Sequence, residues 1–180
     1  MNENETKTIN IAMIGCGEMG RTHSACLAQM ESVRLLWFCD TTLSQAVSLA
    51  QRYPEGRPTT SAEDVFADPR VHAIYIATQT DSHKQLCLAA AQTRKPVLVE
   101  KPVTLSSTAT LEVVRAFQQA RLPAMVGFKF RFYSLVQRVR VQAGQGLGDL
   151  PGMVAVVVHH PPPAPLALAL EAAAHPAELL

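Results

Sequence analysis

Three glycines near the N-terminus have the spacing G-x-G-x-x-G, at Gly15, Gly17 and Gly20, and they follow a short apolar run that begins at Ile9. The pattern predicts a strand, a tight turn and the start of a helix. The first glycine permits the turn, the second lets the backbone approach a pyrophosphate, and the third lets the helix pack closely against the strand. The helix N-terminus also offers free N–H groups to phosphate oxygens. The other residues of this predicted phosphate-binding turn are Cys16, Glu18 and Met19.

Lys101 is the side chain best suited to assist a reaction, because it follows an apolar run in the tripeptide Glu100-Lys101-Pro102. The proline ring restricts the backbone beside the lysine, and the ammonium group can donate to a substrate hydroxyl or carbonyl oxygen. Two alternatives stay open for Glu100: it sets the local charge and holds Lys101, or it only caps the loop. Without further context, a lysine in this position is more often a plain surface residue.

Asp40 ends a second apolar run, Val33–Cys39, at the interval from the glycines that a βαβ unit requires. A carboxylate at this point can accept hydrogen bonds from the ribose diol of an adenosine, whereas it would repel a ribose 2′-phosphate. The following Thr41 and Thr42 supply no positive charge. We therefore predict NAD as the cofactor, with NADP less favoured.

Apolar runs alternate along the chain with segments of helical pattern. This alternation predicts an α/β fold, a doubly wound parallel (Rossmann) sheet with right-handed crossovers. The first predicted strand begins at Ile9, and the others span residues 33–39, 57–60, 71–77, 96–99 and 123–126. The first predicted helix spans 21–30, with Cys26, Leu27 and Met30 on its inner side. The others are one from Thr41 or Thr42 to Ala50, a capped turn after Ser61, one through 86–90, and one from Thr104 or Ser106 to Ala120.

Polar clusters follow the predicted strands at residues 15–20, 40, 78–83 and 100–102. In an open parallel sheet, ligands bind beyond the carboxyl ends of the strands, so we expect these clusters to share one edge. Thr78 and Thr80 can bond a ribose or a phosphate, or they can cap the next helix. His83 begins that helix, where a histidine is more often a polar surface residue.

Bulk composition limits the classes of partner. The 180 residues are 48% hydrophobic, and 16 Lys and Arg against 15 Asp and Glu give a formal net charge of +1. That balance predicts a globular protein without the electrostatic pattern that binds nucleic acid or a membrane surface. The N-terminus is polar and acidic, unlike a targeting peptide. The four cysteines lack metal-ligand or disulfide-framework spacing and indicate reduced thiols in a cytosolic protein. The cysteines are Cys16, Cys26, Cys39 and Cys87.

The combined motifs resemble the glucose–fructose oxidoreductase / inositol dehydrogenase (Gfo/Idh/MocA) family. The matching segments cover roughly residues 9–133: IAMIGCGEMGRTH, the acid Asp40, ATQTDSHKQLCLAA, VLVEKPVTLS and VGFKFRF. The resemblance implies hydride transfer between a nicotinamide cofactor and a hydroxyl or keto group of a sugar, cyclitol or similar small polyol. It further implies that Lys101 assists proton transfer, and this outweighs the surface interpretation of that residue.

Further site residues come from the resemblance alone. It implies that His83 lies near the nicotinamide ribose and that Lys129 and Arg131 reach toward the nicotinamide or substrate. The segment around them, F-K-F-R-F, is equally typical of a plain strand with two basic residues facing water. The chain departs from the usual family pattern where Gln79 and Thr80 replace proline and asparagine, which weakens the transfer of roles to the adjacent threonines.

The division predicted from these patterns is a dinucleotide-binding Rossmann domain over 1–127 and, over 128–180, a remnant or start of a C-terminal α+β substrate domain with a Pro/Ala/Leu-rich tail. We predict a helix over 135–143, a glycine-rich turn over 144–152 and a strand over 153–159, whose open edge could pair with a second copy. The family's D-x-x-x-H pattern has no match, and no metal site is predicted. An incomplete substrate domain leaves a second hypothesis, a nucleotide-binding module without independent catalysis. The histidines that lack the preceding aspartate are His159, His160 and His175.

Overall fold

Six parallel strands form one sheet in the computed structural model, which describes residues 8–144. The strand order is β3-β2-β1-β4-β5-β6, so the chain moves outward in one direction from β1 and then returns to continue on its other side. This is the order of a doubly wound Rossmann sheet, and the fold prediction is confirmed. The strands are β1 (Ile9–Ile14), β2 (Val33–Cys39), β3 (Arg57–Thr59), β4 (Ala73–Ile76), β5 (Val97–Val99) and β6 (Ala124–Val126).

Helices connect successive strands. The first five are α1 (Glu18–Leu27), α2 (Leu43–Ala50), α3 (Ala62–Ala67), α4 (Thr80–Gln92) and α5 (Ser107–Ala120). A 3-10 turn (Lys129–Phe132) and α6 (Ser134–Gly144) follow β6. Among the described residues, every helix is too short or too polar to cross a lipid bilayer.

The core lies on both faces of the sheet because successive side chains of a strand point to opposite sides. Along β1, Ala12 and Ile14 pack into one buried cluster, whereas Ile11 and Met13 pack into the other. The part of a strand that is covered on both faces must be apolar. This requirement explains why β1 and β2, beyond Asn10 and Arg34 near their starts, continue as apolar runs rather than alternating ones.

Helix α1 begins and ends about three residues earlier than the sequence pattern predicts. Its buried positions are Gly20 and Ser24, four residues apart on one face. Of the predicted inner residues, Leu27 is partly buried against the core, whereas Cys26 and Met30 are exposed. The prediction was wrong for these two because it followed the larger apolar side chains, whereas small residues form the face that packs closely on the sheet.

Three of the four cysteines are buried, and none of the four forms a disulfide. Burial is the main cause that raises the pKa of Cys16 to about 12, of Cys39 to about 11 and of Cys87 to about 12. Nucleophilic or redox chemistry requires the thiolate, so these thiols are inert near neutral pH.

The contacts divide the chain into two compact units at Gly127–Phe128. The first unit contains the whole sheet. In the second, the segment predicted as a possible plain strand forms the 3-10 turn instead. The predicted helix over 135–143 is confirmed as α6, which begins one residue earlier and ends one residue later. The predicted turn beyond Gly144, the strand over 153–159, its pairing edge and the tail lie outside the described residues.

Helices α4 and α5 both continue into an arginine with a left-handed backbone, Arg94 at φ 59° and Arg121 at φ 51°. At the second of these, the Arg121 N–H donates to the Gln118 carbonyl and the Leu122 N–H donates to the Phe117 carbonyl. This pair of hydrogen bonds is the Schellman motif, in which glycine usually occupies the left-handed position.

We expect Arg121→Gly to raise the free energy of unfolding by about 0.5 kcal/mol, because glycine lacks the Cβ that opposes this conformation. Urea unfolding measures the change. The matched control Arg115→Gly, at an exposed position inside α5, should lower stability by about 1 kcal/mol. Equal losses in both variants would contradict the left-handed strain at Arg121.

Candidate functional site

Two of the three motif glycines are required by the chain's own packing. Gly15 has φ +96°, and a Cβ placed there would lie 2.4 Å from the Ala77 carbonyl oxygen. A Cβ on Gly20 would lie 1.9 Å from the Gly15 carbonyl oxygen. These distances are far below any tolerated contact. The turn therefore needs glycine at both positions to hold α1 against the ends of β1 and β4.

The packing of the chain does not require a glycine at position 17. Gly17 is the N-cap of α1 with an ordinary φ of −69°, and a Cβ placed there would meet nothing within 4 Å. The space above it is open and faces the first N–H groups of a helix. A glycine that the fold itself does not require, in front of a helix N-terminus, fits the close approach of a pyrophosphate.

Asp40 links the glycine turn to the loop after β2. Its Oδ2 accepts a hydrogen bond from the Cys16 N–H at 2.8 Å, and its Oδ1 accepts one from the Thr42 N–H at 2.9 Å. A carboxylate has about four acceptor sites, so both oxygens retain capacity for a ribose diol. The Thr42 side chain does not cap α2; the Asp40 carboxylate satisfies the Thr42 N–H instead.

The loop after β4 carries the two predicted threonines. The Thr78 hydroxyl lies 2.7 Å from the Ser82 hydroxyl, which donates in turn to the Gln79 carbonyl. Thr80 is the first residue of α4, and Gln79 is its N-cap without a side-chain bond. Thr78 thus bonds a residue in the first turn of α4. Neither threonine caps the N-terminus of that helix, which was the alternative prediction.

His83 is almost fully buried, at 1% exposure. Its Nδ1 lies 2.9 Å from the Pro102 carbonyl oxygen, and its Nε2 lies 3.1 Å from the Thr78 carbonyl oxygen. A neutral imidazole donates to one of these carbonyls, and the doubly protonated ring donates to both. The side chain therefore joins the loops after β4 and β5 from beneath. Its contact with a nicotinamide ribose stays a prediction.

Glu100 follows β5 and is buried, at 8% exposure. Its Oε2 accepts from the Lys101 N–H at 3.1 Å, and its Oε1 lies 2.6 Å from Nε2 of His23. A Cβ on Gly127 would lie 3.0 Å from the same Oε1. The carboxylate is thus enclosed by the chain, and it holds Lys101 through the backbone rather than only capping a loop.

Sequence reasoning missed His23 and Tyr75. The two rings pack with centroids 4.7 Å apart, and His23 bonds Glu100 on their other side. Burial, and then the charge of Glu100, raises the pKa of Tyr75 to about 12. A signal existed for His23, since it stands three residues after Gly20 on the sheet-facing side of α1. Its partner could not be read from local spacing.

Lys101 is exposed at this edge, and its peptide bond to Pro102 is cis. Arg131 belongs to the second unit, where it is exposed on the 3-10 turn with its guanidinium carbon 5.7 Å from the centre of the Phe128 ring. The other predicted residues lie in the first unit, at one edge of the sheet.

Each loop of this edge contacts the next. Asp40 bonds Cys16, the turn at Gly15 approaches the backbone of Ala77, and His83 spans from Thr78 to Pro102. The result is a continuous line of loops from the Asp40 carboxylate, past the open N-terminus of α1, to the exposed Lys101. Such a line fits an extended dinucleotide with its reactive end near Lys101. Among residues 8–144, no cluster of three or more His, Cys, Asp or Glu side chains is arranged to hold a metal ion.

Comparison with known proteins agrees with this geometry. Residues 9–128 match the GFO_IDH_MocA family model, described as an oxidoreductase family with an NAD-binding Rossmann fold. Inositol 2-dehydrogenase 2 of Mycolicibacterium vanbaalenii is 30% identical over 159 residues, 87% of this chain and 46% of that protein. The WlbA dehydrogenase of Bordetella pertussis, solved with NADH and UDP-GlcNAcA, has a TM-score of 0.74 and 25% identity, covering 78% of this chain and 40% of its own.

A further solved structure, GenD2 from gentamicin A biosynthesis in complex with NAD, supports the fold with a TM-score of 0.74 at 24% identity, over 87% of this chain and 43% of that one. The chain spans less than half the length of the curated relatives it matches, 46% for the first two. The matched family model covers the whole sheet and all of its carboxyl-edge loops. The chain therefore belongs to the Gfo/Idh/MocA oxidoreductase family, and residues 9–128 are its NAD-binding Rossmann domain.

Proposed function

We propose that this chain takes part in NAD-dependent hydride transfer to or from a hydroxyl or keto group of a sugar, cyclitol or similar small polyol. The observation that carries the proposal is the continuous line of loops from Asp40 to Lys101 at one edge of the sheet. The names of the relatives support the substrate class, since one is an inositol dehydrogenase and another was solved with a nucleotide sugar.

In this proposal the chain's residues divide the work by position. The turn at Gly15–Gly20 and the N-terminus of α1 bind the pyrophosphate, and Asp40 binds the adenosine ribose. Thr78, Thr80 and His83 border the nicotinamide ribose. The nicotinamide, when bound, supplies hydride chemistry that no side chain can perform.

Lys101 is the proposed catalytic residue. Its ammonium donates to the carbonyl oxygen as hydride arrives at carbon, and in the reverse direction its amine accepts the hydroxyl proton as hydride leaves. Glu100 stabilises this loop through the Lys101 N–H. Arg131 and the rest of 128–180 are proposed to belong to the part of the protein that binds substrate.

The preference for NAD rests on the charge of Asp40. The carboxylate is half-buried, and its two oxygens already accept backbone N–H groups, which fix it in place. A 2′-phosphate would bring a second negative charge to this position without a cation in the adjacent Thr41 and Thr42. We therefore assign NAD as the main cofactor and NADP as the weaker one.

Gly17→Val should abolish measurable NADH binding in a calorimetric titration, because its side chain fills the open space that a pyrophosphate needs. The melting temperature should remain close to that of the unchanged protein, since a Cβ there meets no atom of the chain. Gly20→Ala is the contrasting variant and should lower the melting temperature itself. Undiminished NADH binding by Gly17→Val would contradict this location of the pyrophosphate.

Asp40→Asn should narrow the preference for NADH over NADPH by at least about tenfold, because it removes the charge that repels the 2′-phosphate. Parallel titrations with the two reduced cofactors give the ratio. Asp81→Asn, a charge removal in the first turn of α4, is the matched control and should leave the ratio unchanged. A ratio that responds equally to both variants would rule out a specific role for Asp40.

Lys101→Ala should lower kcat for polyol oxidation by about 10²–10⁴-fold, the usual contribution of a general acid or base, while NADH affinity stays nearly constant. Turnover is followed as NADH formation from NAD with a panel of sugars and cyclitols. The control Lys84→Ala removes a lysine that pairs with Glu112 and should retain full activity. NADH binding without turnover of any panel member would overturn the proposal for this chain and support a nucleotide-binding module.

A further inference from the structure

We propose that His23 and Glu100 form a positioning pair that fixes the backbone of Lys101 from inside the sheet edge. The proposal rests on the proposed role of Lys101 and extends it to two residues beneath the site. His23 lies on α1, the helix whose N-terminus faces the pyrophosphate position. The pair therefore connects the phosphate-binding helix to the lysine loop, across 77 residues of sequence.

Glu100 shows the features of a group built into the structure. A carboxylate buried at 8% exposure is costly unless every oxygen has a donor. Here one oxygen accepts from the Lys101 N–H and the other contacts His23, while Gly127 provides room that a larger residue would remove. When the Glu100 carboxylate is ionised it can only accept, and His23 then donates to it through Nε2.

The His23 ring is itself held in place. Tyr75 on β4 packs against one side of it, with the ring centroids 4.7 Å apart, and Glu100 bonds its edge at 2.6 Å. The imidazole, which belongs to α1, thus contacts Tyr75 on β4 and one carboxylate oxygen of Glu100 at the end of β5. A side chain fixed by packing and by a hydrogen bond can hold its partner within the tolerance that catalysis requires.

The other end of the same tripeptide has its own support. His83 contacts the Pro102 carbonyl oxygen at 2.9 Å from a buried position. Two buried side chains therefore hold this segment: Glu100 accepts from the Lys101 N–H, and His83 contacts the Pro102 carbonyl oxygen. The exposed Lys101 side chain thus projects from a braced backbone segment, which is preorganised before substrate arrives.

The test uses the full chain and its backbone amide NMR spectrum. In the unchanged protein, the Lys101 amide should resonate downfield and exchange slowly with solvent, as expected for a bond to a charged acceptor. His23→Leu removes the His23 partner of Glu100 and frees the carboxylate to move away from the Lys101 N–H. We therefore expect the Lys101 amide to shift upfield and to exchange at least about tenfold faster, the factor for losing its own bond to Glu100.

His23→Gln should restore the unchanged signal, because the glutamine amide can still donate to Glu100 whereas leucine only fills space. His72→Gln is the matched control: it replaces a histidine that accepts from the Asn10 N–H at the start of β1 and should leave the Lys101 amide untouched. Where turnover is measurable, His23→Leu should lower kcat with little change in KM, and His23→Gln should recover it.

Identical Lys101 amide signals in the leucine and glutamine variants would overturn the proposal, since His23 would then act only by filling space. A NADH titration of each variant separates this outcome from failure of the proposed function. Loss of the Lys101 bond with intact NADH binding supports the positioning pair. If the unchanged chain binds no NADH yet its Lys101 amide responds to His23→Leu, the proposed function fails and the contact between the pair and Lys101 stands.

Discussion

The close approach of the first helix to the sheet is the constraint on which the rest of this structure depends. Gly20 lies so near the carbonyl of Gly15 that even a methyl group would overlap it, and a methyl group on Gly15 would likewise overlap the backbone of Ala77. These contacts set the helix N-terminus at the carboxyl ends of β1 and β4. They also bring His23, one turn along the helix, within reach of the end of β5.

Much of the fold follows from local pattern, because the same physical requirement appears in many residues at once. The part of a strand that is covered on both faces must be apolar, so β4 and the inner parts of β1 and β2 are visible in the sequence as apolar runs. The glycine spacing and the acid at Asp40 are visible for the same reason, since turn geometry and ribose recognition each restrict the residue type. The placement of Thr78, His83 and Lys101 at this edge follows from their positions after strands of a parallel sheet, whereas the roles predicted for His83 and Lys101 rest on the family resemblance.

Other features could not be predicted from spacing. The fully buried positions of helix α1 are the small residues Gly20 and Ser24. Large apolar residues therefore mark its inner face only in part: Leu27 packs on the core, whereas Cys26 and Met30 are exposed. The contact of His23 with Glu100 depends on which strands are neighbours, a property of the whole sheet rather than of either segment. Likewise, His83 is consistent with a surface residue until the two carbonyl oxygens around it are known.

Buried polar groups give this edge its chemical character. Glu100 and His83 are enclosed, and each bonds the backbone of a loop that borders the site. Buried polar groups must find partners, so these side chains restrict the loops more strongly than apolar packing would. An exposed lysine on such a segment differs from an ordinary surface lysine in the rigidity of its backbone.

The most direct test of the central claim is a map of backbone amide shifts on addition of NADH to the isotopically labelled chain. If the dinucleotide lies along the carboxyl edge, the largest changes will fall in Cys16–Gly20, at Asp40, in the loop from Thr78 to His83 and at Lys101. The amides at the start of β1, including Asn10, will stay in place. Changes concentrated at that opposite edge, or spread evenly over the sheet, would contradict a cofactor site running from Asp40 to Lys101.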